Sequence, residues 1–184
     1  MWELIALVAA IAATLWPAGP SVEPTGLPSQ EVWSSDVRTA MYGAEDYLRD
    51  RIASADSNER LAINLDIDNT SLSSTYAPRQ PILVVRRFAQ LAHAHGVAVL
   101  FNTGRDSAQE ERMRALLVSA GYPVDGICTR HKGERVEQSK QRCRSAFVRE
   151  GYTIVANVGN SDTDFIGSDY EWAFVLPNYG GLLN

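Results

Sequence analysis

Three times in this chain an amphipathic stretch stops at a glycine and an apolar run follows. The glycines are Gly96, Gly121 and Gly151, and the runs after them contain VAVLFNT, VDGICT and TIVANVG. Glycine suits the end of a helix because it enters the left-handed conformation at no steric cost. The rhythm begins one step earlier with LAINLDI from residue 61 and closes with EWAFVLP near the C-terminus. Between the apolar runs lie PILVVRRFAQLAHAH, DSAQEERMRALLVSA and GERVEQSKQRCRSAFVRE. These are read as helices: Pro81 opens the first, where a missing N–H does no harm, and Asp106 caps the second in a capping-box pattern with Gln109. Strand, helix, strand at this spacing requires crossover connections and a parallel sheet. The strands are apolar on both sides, as they must be when helices cover both faces. The expected fold is therefore α/β, a Rossmann-like three-layer parallel sheet.

Ahead of this core, residues 31–54 place Val32, Val37, Met41, Ala44, Tyr47, Leu48 and Ile52 at helical spacing, which predicts an N-terminal helical segment. Residues 4–16, LIALVAAIAATLW, form an apolar run too short to span a bilayer comfortably. It fits the apolar region of a signal peptide, although Glu3 stands where a basic residue is usual. The chain is thus divided into residues 1–19 as signal peptide or membrane tether, 20–30 as a Pro- and Gly-rich linker, and 31–184 as one domain. A secreted or membrane-tethered protein is expected, or a cytoplasmic one if the run is not a signal. A net charge of -5 argues against binding a nucleic-acid duplex, which needs a basic face. Cys128 and Cys143 lack metal-ligand spacing, and the sequence leaves open whether they form a disulfide or stay as two buried thiols.

In an open α/β sheet, ligands bind beyond the carboxyl ends of the strands. The first strand ends in Asp66, Asp68 and Thr70, the second in Asn102, Thr103, Gly104 and Arg105, and the fourth in Gly159, Asn160, Asp162 and Asp164. Lys140 and Arg144 share a face of the helix before the fourth strand. Any single Asp here is explained by turn chemistry. Together the set suits a phosphate ester. Carboxylates hold Mg²⁺, a hard cation, and a lysine offsets phosphate charge. One carboxylate can attack phosphorus to give an aspartyl-phosphate, while a second moves the proton.

The motifs DIDNT, FNTGR, Lys140 and VGNSDTDF, in that order, resemble those of the haloacid dehalogenase (HAD) superfamily of phosphatases. Within it the chain looks most like the plant and bacterial acid phosphatases. The resemblance implies a Mg²⁺-dependent phosphomonoesterase acting on a phosphorylated small molecule. It implies Asp66 as nucleophile and metal ligand, and Asp68 as general acid and base that also offers its carbonyl to the metal. Thr70 would steady the loop, Thr103 and Gly104 would bind the phosphoryl group, Lys140 would bridge Asp66 and phosphate, and Asn160 and Asp164 would complete the metal site. Asn160 departs from the usual G-D-x-x-x-D pattern and brings an oxygen without a charge.

Several nearby residues compete for roles. Lys132, in a loop, is a rival to Lys140. Asp162 is either an additional acid behind the metal site or a solvated loop residue, and Arg105 either touches substrate or neutralises Asp106. His93, His95 and His131 show no ligand spacing. Little room for a cap exists between Thr70 and Phe101 or between Gly104 and Lys140, so a capless or minimally capped enzyme is expected, with residues 31–60 as a candidate substitute lid. The alternatives are a phospho-acceptor signalling domain and a non-catalytic storage or binding protein on the same fold.

Overall fold

A computed structural model of the chain describes residues 26–183. The apolar segment 4–16 and most of the expected linker lie outside these residues, so the expectations for them carry no structural description. Two helices come first, α1 (Gln30–Ala40) and α2 (Ala44–Ala53). The alternating core then runs β1 (Arg60–Leu65), α3 (Leu83–Ala94), β2 (Ala98–Asp106), α4 (Glu110–Ser119), β3 (Gly126–Arg130), α5 (Val136–Arg149), β4 (Tyr152–Gly159) and β5 (Trp172–Val175). Single 3₁₀ turns at Ser107–Gln109 and Asp162–Asp164 follow β2 and β4.

All neighbouring strands pair in parallel, in the order β3-β2-β1-β4-β5. The chain steps outward from β1 through β2 to β3, then returns to the other side of β1 to lay down β4. The reversal places a crevice at the carboxyl ends of β1 and β4, where the side loops part in opposite directions. Side-chain alternation along β1 sorts the layers. Leu61, Ile63 and Leu65 belong to the larger core with residues of α1 to α4, whereas Ala62 belongs to a smaller core with Leu100, Phe147 of α5 and Ile154. Helix α5 therefore covers one face and the other helices cover the opposite one, giving the three-layer α/β architecture expected from the sequence. The helix-ending glycines at 96, 121 and 151 have φ of +75°, +85° and +90°.

Two local expectations differ from the structure. Pro81 does not open α3: it pairs with Leu72 in an isolated antiparallel bridge, and the helix starts at Leu83. Asp106 extends β2, and its side chain caps nothing, because Gln109 is drawn to Arg105 instead, at 3.2 Å. Ser29 caps α1, and Leu27 ahead of it is buried. The disulfide alternative holds: Cys128 on β3 is bonded to Cys143 on α5.

Helices α1 and α2 do not form a lid. Tyr47 donates to the Val155 carbonyl at 2.9 Å and packs on Phe174, and α2 lies against α3 and β4. Trp33 of α1 stacks on Tyr76, at 4.8 Å between ring centroids, and so buttresses the 73–81 loop from outside. No residue of 31–60 lines the cavity at Asp66. The buried face of this segment is taken up by α3, β4 and the 73–81 loop.

Candidate active site

Residues 66–74 leave β1 in a tight loop. The Asp66 amide continues the pairing with β4 by donating to the Val158 carbonyl at 2.9 Å, and the Ser71 hydroxyl closes the loop on the Asp66 carbonyl at 2.6 Å. Asn69 sits at φ +52°, a left-handed position that Asn tolerates better than most residues. Its side-chain oxygen accepts the Ser74 and Thr75 amides, and its Nδ2 donates to the Leu183 carbonyl at 2.8 Å. This turn sends the Asp66 and Asp68 side chains toward the same rim.

Lys140 comes up from α5 to meet Asp66. Its Nζ lies 2.5 Å from Asp66 Oδ1, 2.6 Å from Asp164 Oδ1 and 2.7 Å from the Asn102 carbonyl. Both the lysine and Asp164 are about 4% exposed at the side chain. Burial would drive the ammonium toward neutrality, but Asp66 and Asp164 outweigh it and raise its pKa. For Asp66, burial is the largest influence, opposed by the Lys140 charge and reinforced by Asp164 and Asp68. The carboxyl is raised to about 7.

Asp68 has a different environment. Arg105 grips it with two donors, Nε at 2.7 Å and Nη2 at 2.6 Å, and the Ser74 hydroxyl adds a third at 2.6 Å. Burial pushes its carboxyl up, yet these partners prevail and hold it below the ordinary carboxylate value. Arg105 is thus the partner of Asp68, not of Asp106. The two carboxylates, with one residue between them, are pushed in opposite directions, Asp66 upward by burial and Asp68, against its burial, downward by Arg105 and Ser74.

The fourth-strand loop is built around Asp164. Its Oδ2 accepts the Asn160 and Ser161 amides at 3.2 and 3.0 Å. A Cβ at Gly159 would collide with the Asp164 carboxylate, so glycine is required there. Arg144, fully buried on α5, donates to the carbonyls of Asp164, Ile166 and Ser168 and ties this loop to the helix. Burial lowers its pKa, and three carbonyls compensate the desolvated charge. Asn160 explains itself here. Its Oδ1 accepts the Thr70 hydroxyl at 3.2 Å, and its Nδ2 donates to the Leu183 carbonyl at 3.0 Å. An aspartate in this place would have no hydrogen to give that carbonyl.

The cavity so formed has a volume of about 310 Å³ and is lined by Asp66, Asp68, Gly104, Lys140, Asn160 and Asp164 among others. Of the sequence-predicted set, Thr103 alone stays behind the wall: it is buried, and its hydroxyl accepts the Arg105 amide at 3.2 Å. Lys132 and Asp162 are exposed and do not line the cavity, and His93 lies near Asp125 at the opposite end of the sheet. Sequence reading missed a ladder of buried amides. Asn64 donates to Asn157 at 2.6 Å, Asn157 to the Asp164 carbonyl at 2.9 Å, and Asn102 to the Lys140 carbonyl at 2.8 Å. Their signal was present, since an asparagine inside an apolar strand must find a partner.

Among the described residues no group of three or more His, Cys, Asp or Glu is placed to share a metal. The oxygens that converge on the cavity nevertheless suit a hard divalent cation. Asp164 Oδ1 meets the Lys140 ammonium at 2.6 Å, and Asn160 Oδ1 accepts one hydrogen bond, from Thr70, so each oxygen keeps a lone pair for a ligand.

A doubly covered parallel sheet with acids and one buried lysine at its switch point is the arrangement expected of a phosphatase built on the HAD fold. The chain belongs to the HAD superfamily, subfamily IIIB (acid phosphatase), whose family model matches residues 77–182, more than half of its length. That match begins after Asp66 and Asp68. It makes the protein a phosphatase acting on phosphorylated small molecules, and the signalling and storage readings are set aside. Among solved structures the fold is similar to the class C acid phosphatase from Bacillus anthracis, with a TM-score of 0.65 at 17% identity over 82% of this chain and 80% of that one. The same Bacillus anthracis enzyme with tungstate bound gives 0.65 at 16% identity over the same shares. A chain of the Pnkp1/Rnl/Hen1 complex gives 0.56 at 14% identity, covering 68% of this chain and 50% of that one. A comparison with curated protein sequences returns no match.

Proposed function

We propose that the protein hydrolyses phosphomonoesters through an aspartyl-phosphate on Asp66, with Asp68 moving the proton and Mg²⁺ as cofactor. The observation that carries this reading is the contact between Asp66 and Lys140, 2.5 Å, at the floor of a cavity that Asp68 also lines. Lys140 fixes one carboxylate oxygen and favours the ionised form that a nucleophile needs. In the first step an Asp66 oxygen bonds to phosphorus and the bond to the leaving oxygen breaks, while Asp68, which must first take up a proton against the pull of Arg105, gives that oxygen its proton. In the second, Asp68 takes a proton from water as the water oxygen bonds to the same phosphorus, and phosphate leaves with Asp66 restored. The backbone at Gly104 and the Lys140 ammonium face the phosphoryl oxygens, with Thr103 supporting that wall from behind.

Asp66, the Asp68 carbonyl, Asn160 and Asp164 are the residues that would hold Mg²⁺, which supplies charge to offset the phosphate dianion. The absence of any lining residue from 31–60 supports an open, capless site. Export is part of the proposal, resting on the apolar run 4–16 and on the Cys128–Cys143 bond, since disulfides persist mainly in oxidising compartments. The test is turnover of p-nitrophenyl phosphate by wild type and Asp66→Asn, each with Mg²⁺ and with chelator. Wild type with Mg²⁺ is expected to be the one active sample. Turnover by a folded Asp66→Asn protein would remove the mechanism.

A further inference from the structure

A second cleft, of about 220 Å³, adjoins the catalytic cavity, and Asp68 is the single residue that lines both. Its floor is apolar and includes the buried Ile67, Leu72 and Met113. Its charged lining is Asp68 with three guanidiniums, Arg79, Arg105 and Arg112. In a chain of net charge -5, that is a local reversal of sign. Arg105 is engaged by Asp68. Arg79 and Arg112 make no ion pair with any described residue, and no other acid lines the cleft.

The position of Arg79 is built rather than incidental. Its backbone lies at φ +69°, in the left-handed region that residues with side chains disfavour. The loop holds it there: the Arg79 amide donates to the Ser73 carbonyl at 2.8 Å, and the Ser73 amide to the Gln80 carbonyl at 2.9 Å. Tyr76 anchors the same loop, donating to the Pro28 carbonyl at 2.8 Å under its stack with Trp33. Strain held in place by its surroundings points to use.

An acid that protonates a leaving oxygen must face the leaving group. The phosphoryl end belongs with Asp66 and Lys140, so the organic end must leave along the Asp68 side, where this cleft opens. We infer that the cleft receives the leaving group, and that preferred substrates carry on an apolar body a second anionic group, a carboxylate or another phosphate, which Arg79 and Arg112 bind. A cavity of roughly 150 Å³ accommodates benzene, so the size suits one ring or sugar with a charged substituent. Guanidiniums match both anions through paired, charge-assisted hydrogen bonds. This inference rests on the phosphomonoesterase reading above and narrows its substrate class.

The experiment uses the full chain with Mg²⁺ and three probes: p-nitrophenyl phosphate, carboxyphenyl phosphate and a sugar bisphosphate. Each kcat/KM is taken as a ratio to that for p-nitrophenyl phosphate, in wild type and in the Arg79→Ala/Arg112→Ala double variant, so that intrinsic leaving-group reactivity cancels. The ratio for at least one anionic probe is expected to fall about tenfold or more, through KM, with partial recovery in the Arg79→Lys/Arg112→Lys variant. Loss confined to carboxyphenyl phosphate identifies a carboxylate, and loss confined to the bisphosphate identifies a second phosphate. Ratios unchanged for both probes, with p-nitrophenyl phosphate still cleaved, overturn this inference alone. If wild type cleaves none of the three, the phosphomonoesterase reading fails and this inference fails with it.

Discussion

Replacing Lys140 by methionine is the most informative single perturbation of this site. The side chains are close in length, so packing is largely kept while the charge is removed. What remains is a pair of acids, Asp66 and Asp164, which lose a cation at 2.5 and 2.6 Å, and an Asn102 carbonyl that loses its donor at 2.7 Å. Removing one partner of a buried ion pair typically costs about 3–5 kcal/mol, because the other charge is left uncompensated. The cost depends on pH in a defined direction. Asp66 already titrates at about 7, and without the lysine its folded-state pKa rises further above the ordinary value of 3.8. A carboxyl raised in the folded state favours folding below its unfolded pKa, and that contribution is lost as pH rises through the folded pKa. The deficit of the variant against wild type should therefore be larger at about pH 8 than at about pH 5, by up to about 1.4 kcal/mol for the one pH unit above 7, on top of the part carried by the lost contacts to Asp164 and the Asn102 carbonyl. Urea unfolding with the disulfide intact, in chelator so that no cation replaces the ammonium, measures it. A deficit below about 1 kcal/mol at both pH values with an unchanged m-value would refute the picture of a desolvated Lys140 holding two acids.

Asn160→Asp places a carboxylate against the Leu183 carbonyl, which now accepts from Asn160 at 3.0 Å. Thermal unfolding without metal should report a loss of about 1–3 kcal/mol, and added Mg²⁺ should recover more stability in this variant than in wild type. Equal melting curves for the two proteins would show that Asn160 is not fixed by that contact. Reducing the Cys128–Cys143 bond, which closes a separation of 15 residues, should lower stability by about 3 kcal/mol in the chain-entropy account. Denaturant midpoints with and without reductant give the value, and coincident midpoints would contradict it.

The legible part of the fold was the part governed by periodicity and glycine. Gly96, Gly121 and Gly151 mark helix ends, and each of the five apolar runs supplied a strand; the inner strands announce themselves because helices cover both their faces, while edge strand β5 keeps Trp172 and Val175 exposed. Pro81 and Asp106 misled because tertiary pairing outranked local preference: a bridge to Leu72 claims the first, and the extension of β2 claims the second. Residue type and strand end coincide at Asp66, Asp68, Asn160 and Asp164, which line one cavity together with Lys140 of α5. Contacts across long separations were not legible. The grip of Arg105 on Asp68 and the Leu183 carbonyl shared by Asn69 and Asn160 depend on loops meeting in space, and no spacing along the chain encodes them. The helices of 31–54 showed why amphipathicity alone misplaces a segment: an apolar stripe says that a face is buried, not against which surface.

The central claim is covalent chemistry at Asp66. Rapid mixing of the Mg²⁺-loaded protein with a radiolabelled phosphomonoester, followed by acid quench, tests it most directly. The account predicts a protein-bound phosphoryl label that hydroxylamine releases, as it does from acyl phosphates, and that maps to the peptide containing Asp66. It also predicts no label on Asp66→Asn. Rapid turnover with no bound label at any quench time, or a stable label on another residue, would contradict it.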